Sequence, residues 1–516
     1  MSRIGNRSRN SLFNAISAVA LTLVNGLLGI VVTRFIIDAF QSEFNGINST
    51  ANQITNMLLI LEGGFTVASN VALFDPLGRG DTDAVNGLLS ATRRKFRGIG
   101  LLFLLVGLAV SVGYALVADT TLPMEHVATI MVMTIVPAAF NLFYATTYRV
   151  LLQGQQKEYI INLFTMLTIG LGHAANIVMI LCHGPWWMVR MNTLLFSFAN
   201  SFLIVWYVKR KNRFLDLKVP PCGETIKGTN DVMVQKITGV VYTSAPIVFL
   251  SISKTGNDGM VGAAMASVYA VYNYVFTMLK SLLHGIIDAP RHSFGQMLTE
   301  RKREEAWSVF AQYEYIAFLA VSVMLTTCCA LILPFIQIYT AGLDDGVNYY
   351  NVGIAVLMVM IAAVEMVHVP SGHLITMSGH FRVGRNFQLI ACGVLLVTMI
   401  GGGVIWGVYG MLGGLLATTA LLAVLEMGWV HLVFFKRKLG ALLRLLLPLL
   451  TVGVVTCFVE MQLVQRLSIN GYIRFFLFGV VFVAVNGVLA LLTAFIFNRP
   501  QMMSILARAK GLLNRR

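Results

Sequence analysis

The stretch SLFNAISAVALTLVNGLLGIVVTRFIIDAF, residues 11–40, carries two charges, Arg34 and Asp38, both near its far end. Roughly 20 mostly apolar residues carry a helix across the ~30 Å hydrocarbon layer of a bilayer. A basic segment, MSRIGNRSRN, precedes the run, and the apolar character continues past Val32 with no small-residue cleavage pattern. It therefore reads as a retained first membrane span and not as a signal peptide.

The rest of the chain has the same character. Of its 516 residues 57% are hydrophobic and 12% charged, and the mean hydropathy is +0.75. Soluble domains run nearer 45–50% apolar and about 25% charged. A whole-chain bias of this kind excludes a soluble domain on one anchoring helix, and disordered and disulfide-framework classes with it. The chain is predicted to be an all-α, polytopic integral membrane protein.

About fourteen segments meet the length and hydropathy criterion. They are 11–37, 46–74, 98–118, 125–148, 159–182, 186–208, 234–253, 262–287, 307–339, 348–371, 387–406, 409–435, 441–462 and 472–497. Lysine and arginine accumulate in cytoplasmic loops, which tests the count. With the N-terminus inside, most of the 38 basic residues fall in the tails and inner loops: Arg93, Arg94, Lys95 and Arg97 in one, Lys209, Arg210, Lys211, Arg213 and Lys218 in another, Lys436, Arg437 and Lys438 in a third. The outer loops are assigned only Arg190, Lys254, Arg466 and Arg474. Both termini are thus expected in the cytoplasm. The net charge of +15 then needs no nucleic-acid partner, because a basic face is drawn to anionic headgroups. The 498–516 tail, with apolar residues among its arginines, suits either an interfacial helix or a solvated tail. The six cysteines show no ligand-like spacing, so no metal site is expected.

The loop 209–233, with Pro220, Pro221 and Gly223, divides the first twelve spans into two sets of six. The sets look like copies. LLQGQQKEYIINLFT (151–165), GPWW (184–187) and KRK (209–211) are matched in order by ITMSGHFRVGRNFQL (375–389), GVYG (407–410) and KRK (436–438). The expected organisation is an N-terminal six-helix lobe 1–208, a cytoplasmic linker 209–233, a C-terminal six-helix lobe 234–438, two extra helices within 439–497, and a basic tail 498–516. An even number of spans per lobe makes these parallel repeats, an arrangement that favours transport by alternating access.

On these features the chain resembles the polysaccharide-exporter, Wzx-type branch of the MOP (multidrug/oligosaccharidyl-lipid/polysaccharide) superfamily. The similarity rests on residues 11–40 and on FNGINSTANQITNMLLILEGGFTVASNVALFDPL (44–77), where Glu62, Gly63 and Gly64 fill the acidic and glycine positions of the second helix. The resemblance implies a V-shaped two-lobed fold and a flippase for undecaprenyl-pyrophosphate-linked oligosaccharide repeat units, in the bacterial cytoplasmic membrane. It implies no catalytic residues, a polyprenyl-linked glycan as partner, other polysaccharide-assembly proteins nearby and a monomeric transport unit. Many members have twelve spans. Fourteen is the count of lipid II flippases, so 441–462 and 472–497 are candidates to hold a polyprenyl tail, with ordinary packing as the alternative.

Ionisable groups in the hydrocarbon zone are costly, about 2.5–3.5 kcal/mol on insertion scales, and usually mark function. Lys280 is the leading candidate to contact a pyrophosphate headgroup; the alternative is that it balances a buried glutamate. His284, one turn on, Arg34, four residues from Asp38, and Arg291, beyond span eight, are further candidates for the headgroup, with Tyr272 and Asn273 for the sugars. Glu62, Glu365 and His368 are candidates for ion coupling, with H+ and Na+ both open, and Gly63, Gly64 and Pro370 for hinges. No cofactor is expected: no phosphate-binding loop is present. Two rival functions remain: an organic-cation exporter of the same superfamily, which would favour an acidic pocket, and a membrane polymerase or glycosyltransferase, which would want a longer outer loop than any here.

Overall fold

The computed structural model describes residues 2–62, 64–221, 230–254, 259–288, 303–467, 469 and 471–513. Among them every regular element is helical. Ten helices are long and apolar enough to cross a membrane. Two of these, Phe13–Glu62 and Phe381–Phe434, are double-length, and each contains a break in its helical backbone. With α8 (Asn230–Ile252) and α9 (Gly262–Ile287) the arrangement is consistent with fourteen spans. The protein is a multi-pass α-helical membrane protein. Apolar side chains project outward, among them Val397, Val424, Val480 and Ile496, each about 70% exposed. Water would not tolerate that surface; lipid requires it.

The chain divides into two compact units, Met1–Tyr274 and Val275–Arg516. In the first, α1 (Ser2–Leu58) is broken at Gln41, whose φ of 69° and ψ of 168° lie outside helical space. The break falls within IIDAFQSEFNG, in the gap expected between the first two spans. A 3-10 turn, Leu59–Glu62, leads into α2 (Phe65–Arg79). There follow α3 (Thr82–Val117), α4 (Met124–Phe140), a π-helical turn, α5 (Thr146–Gly154), α6 (Glu158–Leu181) and α7 (Trp186–Lys211).

Polar side chains fasten these helices where burial would otherwise strand them. Asn14 donates to the Gln156 carbonyl and accepts from the Tyr159 amide, joining α1 to α6. Asn192 donates to Asn176 at 2.9 Å between α7 and α6. Asn45 donates to the Ser267 hydroxyl at 2.7 Å, beside Gly46, where any Cβ would collide with the Ala263 carbonyl of α9. The Glu43 carboxylate accepts from the Thr120 and Thr121 hydroxyls and the Thr121 amide, pinning the α3–α4 loop. The start of the 209–233 segment is held as well: Asn86 of α3 bonds the Phe214 carbonyl and the Asp216 amide.

The second unit holds the end of α9 and then α10 (Arg303–Thr340), α11 (Val352–Met377), α12 (Phe381–Gly428), a second π-helical turn (Trp429–Phe434), α13 (Leu439–Leu467), α14 (Tyr472–Phe497) and α15 (Arg499–Leu513). α12 reverses at Trp406 and Gly407, the latter at φ 58°. Its two arms press together so closely that a Cβ on Gly402 or Gly410 would strike the other's backbone, and one on Gly414 would strike that of Thr398 and Met399. Small residues permit this approach. Gly410→Val is expected to destabilise at or above the top of the roughly 1–3 kcal/mol range for overpacking, since backbone and not a side chain must yield. Gly413→Val, at a position open to space, is the control; thermal unfolding in detergent distinguishes them.

α13 and α14 dock on α10 through a buried polar knot. Asn486 donates to the Glu460 carboxylate at 3.0 Å and to Thr327 at 2.9 Å, while Val454, Val455 and Phe458 face outward. The tail forms helix α15, which lays Met502 and Ile505 against a cluster containing Tyr315 and Phe318 of α10.

Candidate functional site: buried charges in each unit

In the first unit Glu62 ends the 3-10 turn and accepts a hydrogen bond from the Thr66 hydroxyl. Gly64 is the N-cap of α2, so the helix is interrupted at this point. Gly63 lies outside the described residues, as does Arg291. Arg149 of α5, partly buried with its Nε buried and unpartnered, is a cation whose charge reaches Glu62. Arg34 stands 3.7 Å from Asp38, four residues on along the same helix. Tyr272 is fully buried and Asn273 partly so.

Arg190, counted with the outer loops although the sixth expected span, 186–208, already contains it, lies a full turn inside α7, which begins at Trp186, and is only 5% exposed. One Nη donates to the Asn48 carbonyl at 3.1 Å, Tyr274 of α9 lies nearby, and Nε has no partner. No carboxylate comes within ion-pair distance of Arg190 among the described residues. A buried guanidinium normally sits against a carboxylate, because desolvating an isolated charge is expensive. Among the described residues no side-chain anion fills that place.

In the second unit Lys280 is ion-paired. Its Nζ lies 3.0 Å from one oxygen of Glu365 and 3.3 Å from the other, with each side chain about a fifth exposed (21% and 22%). The pair unites a substrate candidate and an ion-coupling candidate from the sequence. A second rung follows in the same register: His373 Nε2 lies 3.4 Å from Asp288, and both partners are eight residues beyond the first pair. α9 and α11 therefore run parallel here, with the rungs about 12 Å apart along the axis at 1.5 Å per residue. His284 lies 3.6 Å from Asp288, and the Tyr313 hydroxyl meets His373 Nδ1 at 2.9 Å.

Deeper in the unit His368 Nδ1 meets Glu426 at 2.9 Å. Gly372 makes room for that carboxylate: a Cβ there would come within 2.9 Å of it. Pro370, buried in α11, lacks the N–H that an unbroken helix would supply. Glu314 faces His431. Both of these buried carboxylates, Glu314 and Glu426, are thus partnered by histidines. His373, Asp288 and His431 were not singled out, although each is polar in an otherwise apolar run. No group of three or more metal-ligating side chains occurs among the described residues.

A multi-pass helical fold with charges placed inside it defines a membrane protein built around polar interior sites. No protein-family model matches the chain, and no curated protein does either. Solved structures do match. The lipid II flippase MurJ, in an inward closed conformation, superposes with a TM-score of 0.64 at 11% identity, over 94% of this chain and 99% of that one. An inward-facing multidrug resistance MATE family transporter of the MOP superfamily gives 0.60 at 15% identity, over 80% and 97%. A MOP superfamily transporter from Pyrococcus furiosus, described as having a binding pocket of reversed polarity, gives 0.60 at 15%, over 82% and 95%. The fold is thus that of MOP superfamily transporters.

Proposed function

We infer that the chain is a flippase that carries undecaprenyl-pyrophosphate-linked oligosaccharide repeat units from the inner to the outer leaflet of the bacterial cytoplasmic membrane. It works by alternating access, for cell-surface polysaccharide synthesis, and is no enzyme. The observation that carries this reading is Arg190, a buried guanidinium with one free nitrogen and no carboxylate. A phosphate oxygen is the ligand that such a group binds best, because the fork of N–H donors matches it and low dielectric strengthens the attraction. Arg34 and Arg149, in the same unit, add to the positive interior. An organic cation would be repelled by these groups. The fold shared with a lipid II flippase supports the reading at the level of architecture. The groove of Phe475, Phe476, Gly479, Val480 and Val483 on α14 offers an apolar surface for a polyprenyl tail. An ion gradient or the membrane potential drives the cycle, with both termini in the cytoplasm.

The test is a deletion strain assayed for lipid-linked oligosaccharide on the cytoplasmic leaflet. Accumulation that the wild-type chain reverses is expected. No accumulation, together with heightened sensitivity to cationic dyes, would replace this reading with the exporter.

A further inference from the structure

Glu314 of α10 and His431 of the second π-helical turn face each other with Nε2 and Oε2 3.2 Å apart, and both side chains have no exposed surface (0%/0%). The other ring nitrogen decides the proton count. Nδ1 of His431 lies 2.9 Å from the Met427 carbonyl oxygen. A carbonyl only accepts, so Nδ1 carries a hydrogen. In a neutral ring Nε2 is then a bare lone pair 3.2 Å from a carboxylate oxygen, and neither that nitrogen nor either Glu314 oxygen has a hydrogen-bond partner. Two acceptors at this separation repel, and the surroundings cannot relieve them. The Trp307 ring meets the imidazole edge-on at 5.4 Å, Phe310 lies 6.1 Å away, and Phe435 stacks on Phe310 at 5.4 Å.

We propose that Glu314 and His431 form a proton-binding site that holds one proton on the pair, on Oε2 or on Nε2. With the proton on nitrogen the pair is carboxylate and imidazolium. With it on oxygen the pair is carboxylic acid and imidazole. Both forms are neutral overall, whereas the empty site buries a net negative charge. Among the described residues, nearby groups do not supply a substitute cation. Glu426 and His368 are paired with each other. His380 lies against the Trp429 and Phe434 rings. The Arg437 guanidinium stands over Trp307 and toward the exposed Glu304. The site joins α10 to the end of α12, and its ligand is the proton whatever the chain transports.

Proton linkage gives the sign of the pH effect. In an unfolded chain glutamate ionises near ~4.3 and histidine near ~6.5. Above the histidine value the folded protein therefore holds one proton more than the unfolded chain, so stability falls as pH rises. One proton corresponds to as much as about tenfold in the unfolding equilibrium per pH unit.

The experiment uses the full-length protein labelled with 15N-histidine in lipid bilayers. His431 is assigned by its loss in His431→Gln or, if that variant fails to fold, by the resonance that moves in Glu314→Gln. A protonated Nδ1 with Nε2 either protonated or strongly hydrogen-bonded is expected. The thermal midpoint should fall between about pH 7 and about pH 9. Glu314→Gln, whose amide donates to Nε2 without titrating, should flatten that slope. A bare Nδ1 with hydrogen on Nε2, or the same slope in Glu314→Gln as in the wild type, overturns the proposal.

Discussion

Arg190→Gln is expected to abolish rescue of the deletion strain while leaving the protein as stable as the wild type or more so. The two effects have one cause. Glutamine is too short to keep the Nη contact to the Asn48 carbonyl, but the variant no longer buries a guanidinium without an anion, and the second change outweighs the first. The bound state loses a desolvated charge contact, worth roughly 2–5 kcal/mol when one partner of such a pair is removed. That is a loss of at least about thirtyfold in affinity. Leaflet assay and thermal unfolding, run on the same variant, read the two arms. If Arg190 were only a structural brace, Arg190→Gln would lower the unfolding midpoint and transport would fall in proportion to the protein lost.

Lys280 and Glu365 should behave in the opposite way. Either single variant, Lys280→Met or Glu365→Gln, removes one half of an ion pair that is mostly buried. The expected destabilisation is about 2–3 kcal/mol, below the roughly 3–5 kcal/mol of fully buried pairs because a fifth of each side chain meets solvent. The double variant removes both charges and should recover most of that loss. Transport separates the two meanings of the pair. If Lys280 also meets the headgroup, the stable double variant remains inactive in the leaflet assay, and this is the expected result. An active double variant would make Lys280 a counter-ion to Glu365 and nothing more.

The membrane fold was legible because hydropathy and charge act over whole segments. The gap expected between 37 and 46 holds the break at Gln41, and that expected between 406 and 409 adjoins Trp406 and Gly407. Glycine beside Glu62 marked a bend, and the helix is indeed interrupted there. What the sequence withheld was facing. Arg190 fell inside the expected span 186–208, but hydropathy gives a helix its length and does not say which of its side chains are buried. Glu426 and His431 are five residues apart, a spacing that lacks meaning on an α-helical wheel, and His431 lies within a π-helical turn. Carboxylate partners could not be assigned because the pairs join distant helices: Glu365 to Lys280, Glu426 to His368, Glu314 to His431.

The glycine-lined reversal of α12 bears on how the protein is made. Between Phe387 and Phe435 the only ionisable side chains besides cysteine and tyrosine are Glu426 and His431, and the turn itself exposes Ile405, Trp406 and Tyr409. A reversal of that kind leaves almost nothing hydrophilic to haul across the bilayer, and its aromatic rings suit the headgroup layer. Two spans whose backbones touch at Gly402 and Gly410 can thus leave the insertion machinery together, as a preassembled helical hairpin, without a separate translocation event for the loop between them.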